Sequence, residues 1–234
     1  MRRLILFDID GTLLSTDGAA RRAFHAALLE VYGTTGPIAT HSFDGKTDPQ
    51  IARELLTLAG LPDAVIDKGL DSLFRSYLRG LAAELAVPGH ETRLYPGVVA
   101  LLEHLHGDDD LCVGLLTGNI AQGASLKLQS GGIEHYFRLG AFGSDCEQRS
   151  GLPAIAVERA RADTGRSFTG HQVVIIGDTP HDVTCGRSLG VFTIAVATGR
   201  HSRESLLEAG ADVALADLAD TAKVIDLLSA ADQD

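Results

Sequence analysis

The sequence has no tryptophan, a single methionine and only three cysteines, Cys112, Cys146 and Cys185, set far apart. No two of these fall at a CxxC or other close metal-ligand spacing, so neither a thiolate metal site nor a disulfide framework is expected. An odd cysteine count without a framework fits a reducing compartment. Long apolar runs are missing too, since none approaches the roughly 18 residues of a membrane span. Met1–Phe7 has two arginines followed by four apolar residues. A secretory leader needs about seven or more, so a cytoplasmic protein is expected. Basic residues are outnumbered, 20 against 31 acidic, for a formal charge of −11. Such a surface repels nucleic acid and anionic membrane, and neither is expected as a partner. A small anionic ligand would need a local cation to meet it.

What is present is ordinary for a globular chain: 234 residues, 45% hydrophobic and 22% charged. That length suits one large domain, or a core with a smaller companion. Short apolar runs recur at Leu4–Phe7, Leu111–Leu116, Arg138–Phe142, Val173–Ile176, Thr193–Val196 and Val213–Leu215. Several are solidly apolar, as strands covered on both faces must be. Helical patterns follow near Gly97–Gly107, Ile120–Gly131, Leu152–Thr164, Pro180–Leu189, Ser202–Ala209 and Ala216–Ala230. Alternation of this kind predicts an α/β fold, a Rossmann-like, doubly wound parallel sheet with right-handed crossovers. The tail, Ala231–Asp234, is expected to fray.

The rhythm breaks after the first run. Between Ser15 and Leu94 the chain reads as helix, at Ala19–Val31, Asp48–Ala59 and Ala64–Ala86. Thr47 and Gln50 have the spacing of a capping box before the second of these. The segment 15–94 is too long for a loop and too helical for the sheet. It is read as an inserted helical domain, leaving 1–14 and 95–234 as the core.

Open parallel sheets bind ligands beyond the carboxyl ends of their strands. There the chain places Asp8-Ile9-Asp10-Gly11-Thr12-Leu13, then Thr117-Gly118-Asn119, then Gly177-Asp178-Thr179-Pro180-His181-Asp182. Each piece alone has a plain reading as a turn or a cap. Together they crowd like charges, which is unfavourable unless a cation is bound. Magnesium is the natural choice, because it takes hard oxygen ligands and no His/Cys cluster competes for a softer metal. With a metal screening repulsion, an aspartate is able to attack phosphorus.

These three segments resemble the first, second and fourth motifs of the haloacid dehalogenase-like hydrolase superfamily, in its phosphatase form. Helices inserted after strand one resemble the helical cap of its phosphoglycolate phosphatase-like and β-phosphoglucomutase-like branch. The resemblance implies Asp8 as the nucleophile that becomes an aspartyl-phosphate, and Asp10 as the acid that protonates the leaving oxygen and then activates water. It implies Mg2+ held by Asp8, Asp178 and the backbone carbonyl of Asp10, with Asp182 an outer ligand or orienter. Thr117 would bind a phosphoryl oxygen, with Gly118, Asn119 and Lys46 also at the substrate.

The third motif departs from the pattern. The family carries a lysine before the helix preceding the fourth motif, often followed by proline. Here the chain reads Cys146-Glu147-Gln148-Arg149-Ser150-Gly151-Leu152-Pro153. Arg149 is the best occupant, as a bidentate phosphate partner. Lys127 is the alternative, and is otherwise a solvated helix lysine. In the cap loop, Lys46 is expected to contact substrate and Asp48 to orient it. His181 is read as lining the site, and Arg21, Arg22 and His25 as surface groups. The expected partner is a small phosphorylated metabolite, and the expected assembly a monomer or homodimer. A phosphomutase or a catalytically inactive binding member stays open as the alternative.

Overall fold

The computed structural model describes residues 2–108 and 110–230; the tail 231–234 lies outside them. Its centre is a parallel sheet of β1 (Arg3–Phe7), β4 (Leu111–Thr117), β5 (Leu139–Phe142), β6 (Val173–Gly177), β7 (Phe192–Val196) and β8 (Val213–Leu215). Their order is β5-β4-β1-β6-β7-β8. The chain starts in the middle, winds one way to β5, then returns to wind the other way. The neighbours of β1 are therefore β4 and β6, in parallel register on either side. This reversal opens the crevice in which such sheets bind ligands.

The solid apolar runs are explained by two covered faces. Ile5 and Phe7 pack into one core with Val98, Leu101, Leu128 and Val224. Leu4 and Leu6 point the opposite way, into a second core with Leu152, Ala156 and Ala160. The helices are α4 (Val98–Leu105), α5 (Ala121–Ser130) and α9 (Thr221–Ala230) against the first face, and α6 (Leu152–Thr164) against the second. Two shorter helices, α7 (Pro180–Cys185) and α8 (Arg203–Glu208), complete this part.

Two expected helices are shorter in the structure. Pro180–Leu189 divides at Gly186, where a Cβ would come within 2.4 Å of Val191, and only a 3-10 turn, Arg187–Leu189, follows. Ala216–Ala230 begins helix only at Thr221, because the Asp217 carboxylate accepts the Ala219 amide at 2.9 Å and holds a turn.

Between the first and second large strands lie α1 (Ala19–Tyr32), α2 (Asp48–Leu58) and α3 (Asp63–Leu85). They share a core of their own, built on Phe24, Leu28, Leu55, Leu56, Leu73 and Tyr77. The sequence reading found no strand here, and the structure corrects it. Leu14–Ser15 (β2) pairs antiparallel with Arg93–Leu94 (β3), tying the two chain crossings together where the helical segment leaves the sheet. The Thr47 cap is also half of what its spacing suggests. Its hydroxyl accepts the Gln50 amide at 3.2 Å, but the Gln50 side chain turns away to Glu54. No helix of the described residues is long and apolar enough to cross a membrane.

Candidate active site

Asp8 follows β1, with its amide bonded to the Ile176 carbonyl at 2.9 Å. Thr117 ends β4, and Asp178 follows β6. Three adjacent strands thus deliver their end residues to one place. Gly11 lets the chain turn back beneath them: its φ is +88°, and a Cβ there would lie 2.3 Å from the Asp178 carboxylate. Thr12 donates to Asp178 Oδ1 at 3.1 Å. The fourth-motif loop is pinned by a complete capping box. Thr179 accepts the Asp182 amide, while Asp182 Oδ2 accepts both the Thr179 amide, at 3.0 Å, and its hydroxyl, at 2.7 Å. Pro180 sits in the first helical turn, where its missing N–H leaves nothing unsatisfied.

Arg149 enters from a 3-10 turn, Arg149–Gly151, and is buried. Its guanidinium lies 3.0 Å from Asp8 Oδ1 and also pairs with Asp182 Oδ1. A further bond of 3.2 Å reaches the Leu116 carbonyl, while Nε has no partner among the described residues. Burial works against its charge, but Asp182 and Asp8 outweigh that and keep it protonated. Lys127, on α5, comes in from the other side. Its Nζ lies 2.6 Å from Asp10 Oδ2 and 2.6 Å from Asn119 Oδ1. The sequence reading set these two cations as alternatives. The structure brings both to the site, on different carboxylates.

The acids carry the strain of this crowding. Burial pushes Asp8 up to about 6, against the pull of Arg149 and with the help of Asp182 and Asp10. Asp178 rises to about 9, through burial first and then through Asp182 and Asp8. One carboxylate oxygen from each of Asp8, Asp178 and Asp182 lies within 4.8 Å of the others. An all-carboxylate donor set fits a hard divalent cation such as magnesium, and positive charge here would relieve the repulsion that raises Asp8 and Asp178. Asp182 already gives both oxygens to Arg149 and Thr179, so Asp8 and Asp178 are the freer donors.

Above these groups lies a cavity of roughly 290 Å³. Asp8, Asp10, Thr117, Gly118, Asn119, Lys127, Arg149 and Asp178 form its floor; Phe24, Phe43, Lys46, Asp48, Ile51 and Tyr77 form its helical wall. The two meet closely. The Asp48 amide bonds the Gly118 carbonyl, and the Asp48 carboxylate accepts the Ile120 amide, both at 2.8 Å. Thr47 reaches the Glu147 carbonyl at 2.6 Å, and Arg53 the Glu147 side chain at 2.9 Å. A Cβ on Gly118 would lie 2.0 Å from the Lys46 carbonyl, so only glycine permits this approach. Lys46 lines the cavity, but its charge goes to Glu54, which also holds His41. Burial pushes Asp48 up to about 6, with Lys127 opposing.

Three outcomes differ from the sequence reading. Arg21 is no surface group: it lines the cavity, lies 4.4 Å over the Phe43 ring and donates to the carbonyls of Ile38 and His41. Arg22 and His25 are exposed, as expected. His181 packs against Gly45 rather than on the cavity surface, and burial, then Arg149, lower its pKa. The loop after β7 was not singled out. Thr198 bonds the Gly11 carbonyl, and Gly199 lies so close to Asp178 that a Cβ would meet its carboxylate at 1.8 Å. The signal for it was available, because this loop also sits at the carboxyl end of a central strand.

The match to known proteins is continuous with this geometry. The family model for haloacid dehalogenase-like hydrolases matches residues 5–196. The chain belongs to that family. A probable phosphatase, IndB, from Dickeya dadantii is 25% identical over 88% of this chain and 86% of its own length. A phosphoglycolate phosphatase from Vibrio cholerae is 26% identical over 95% and 96%. The crystal structure of a hydrolase from Pseudomonas syringae superposes with a TM-score of 0.72, at 19% identity, over 97% of this chain and 99% of that one. The last comparison bears on the fold alone.

Proposed function

We propose that this haloacid dehalogenase-like hydrolase is a magnesium-dependent phosphatase, cleaving a small phosphate monoester through an aspartyl-phosphate on Asp8. The observation that carries the reading is the placement of two carboxylates, Asp8 and Asp10, at one small cavity, each with its own buried cation. Phosphoryl transfer asks for positioning and charge neutralisation, and this floor supplies both.

Asp8 attacks phosphorus, and the ester P–O bond breaks with its electron pair leaving on oxygen. Asp10 gives that oxygen a proton. Asp10, now a carboxylate, takes a proton from water as the water attacks the aspartyl-phosphate, and Asp8 is regenerated. Arg149 holds Asp8 in place and offers positive charge to the phosphoryl group. The Thr117 hydroxyl and the backbone of Gly118 and Asn119 meet its oxygens. Asp8, Asp178 and the Asp10 carbonyl would hold Mg2+, and Asp182 would orient Arg149 and the fourth-motif loop. When bound, the metal would screen the repulsion between nucleophile and phosphate.

The segment 15–94 acts as the cap over a core of 1–14 and 95–234, and reads the alcohol part of the substrate through Lys46 and Asp48. The partner is a small phosphorylated metabolite in the cytoplasm, with no nucleic acid or membrane involved, and the protein works as a monomer or homodimer. The test is phosphate release from a panel of phosphorylated metabolites, with and without magnesium, beside Asp8→Asn. Metal-dependent release that the variant lacks is the expected result. Isomerisation of a sugar phosphate without release would point to a mutase. No reaction with any compound would sink the reading.

A further inference from the structure

Lys127 lies on α5 between the buried Ala124 and Leu128, and only 4% of its side chain is exposed. A buried ammonium needs partners, and those of Lys127 are specific. It donates to Asp10 Oδ2 at 2.6 Å and to Asn119 Oδ1 at 2.6 Å. An ammonium has no lone pair, so the Asn119 amide must turn its oxygen to Lys127 and its nitrogen the other way. That nitrogen donates to the same Asp10 Oδ2, at 2.8 Å, and to Thr117 Oγ1, at 2.8 Å. Two donors therefore converge on one carboxylate oxygen. Asp10 Oδ1 has no partner among the described residues, and the Asp10 side chain is 46% exposed, at the cavity.

We infer that Lys127 is a positioning residue for Asp10: with Asn119 it fixes Oδ2, so that Oδ1 is the oxygen that exchanges the proton with the leaving group and with water. The assignment rests on the phosphatase reading. It separates Lys127 from Arg149, whose partners are Asp8 and Asp182. In the first step the Oδ1–H bond breaks as an O–H bond forms on the departing oxygen. In the second, an O–H bond of the attacking water breaks and Oδ1–H is restored. Without Lys127 only Asn119 holds Oδ2, half-exposed Asp10 is less firmly placed, and a shift of about 1 Å at a reacting group lowers the rate by about 100-fold.

Attack of water needs Asp10 for either ester, but formation of the aspartyl-phosphate needs its proton only when the leaving group is poor; kcat/KM, which reports that first step, therefore provides the test. Release of phosphate from an alkyl phosphate and from p-nitrophenyl phosphate is measured for the native protein, Lys127→Met and Asn119→Ala, with folding checked by circular dichroism. In Lys127→Met, kcat/KM for the alkyl ester is expected to fall about 100-fold, and the aryl-to-alkyl ratio of kcat/KM to rise at least about tenfold. Asn119→Ala shifts the ratio in the same direction by less, and carries the test if Lys127→Met does not fold. In an Asp10→Asn background, Lys127→Met produces no further rise. Equal losses on both esters, with a raised KM, would make Lys127 a phosphate-binding cation and overturn the inference. An unchanged ratio with full activity would reduce it to packing and overturn the inference equally. A native protein inactive on both esters would overturn the phosphatase reading beneath it, an outcome distinct from either.

Discussion

Both walls of the cavity carry cations, and the two walls use them differently. On the sheet edge, Arg149 and Lys127 are directed at the carboxylates proposed to do the chemistry. On the helical wall, Lys46 is matched by Glu54, and Arg21 is held by two carbonyls and the Phe43 ring, all from the helical segment itself. The two walls therefore differ in what their cations hold. On the sheet edge the partners are Asp8 and Asp10 themselves, so neighbouring elements fix each cation beside a carboxylate proposed to react. The helical wall adds shape, apolar surface and the side chains of Lys46 and Asp48.

This contrast is open to attack from both sides. The largest effect belongs to Asp8. Asp8→Asn removes the attacking charge at nearly constant volume, and phosphate release is expected to fall by at least about 1,000-fold while the fold persists. Full activity in that variant would end the nucleophile assignment. Next is Arg149→Met, which leaves Asp8 and Asp182 buried together without their cation. Denaturant unfolding should show a loss of about 3–5 kcal/mol, whereas Lys46→Met on the opposite wall should change stability by less than about 1 kcal/mol. Equal losses would erase the distinction between the walls. Asp178→Asn is expected to weaken magnesium binding at least about tenfold, read by titration calorimetry on the unreacted protein. Glu54→Gln frees Lys46, so KM should fall about threefold for esters with an anionic leaving group while kcat stays constant.

The last effect is on pH dependence. Burial raises Asp48 to about 6, above the ordinary carboxylate value of 3.8. The unfolded chain therefore loses this proton first, and ionised Asp48 disfavours the folded state fully above about pH 6 and not at all below about pH 4. Asp48→Asn, which keeps an oxygen for the Ile120 amide, should raise the melting temperature at pH 7.5 and leave it unchanged at pH 4. A rise at both pH values would mean that packing, not charge, is responsible.

Much of the fold was legible because the signals are local. Strands covered on both faces must be solidly apolar, and the runs at Leu4–Phe7 and Val173–Ile176 coincide with central strands to within a residue. Leu152–Thr164 matches its helix at both ends. The two-residue strands β2 and β3 were invisible, since each is too short to show a period and gains its identity only from the other. Arg21 was misplaced for a related reason. It stands on a helix beside a second arginine, Arg22, and only the fold of residues 38–43 over that helix encloses it.

From the sequence alone it follows that acids and a threonine stand at the carboxyl ends of parallel strands, because the apolar run before each segment sets its direction and depth. From that follow a crowded, cation-seeking edge and the positions of Asp8, Asp10, Thr117 and Asp178. How the cations are shared, and which strands are neighbours, follows from the packing of distant segments. Lys127 reads as an ordinary helix lysine from its neighbours, yet its ammonium lies on Asp10, 117 residues away. Arg149 reaches Asp182 across 33 residues. Pairings of this kind carry no periodicity, since they depend on where separate elements are brought together by burial of the two sheet faces.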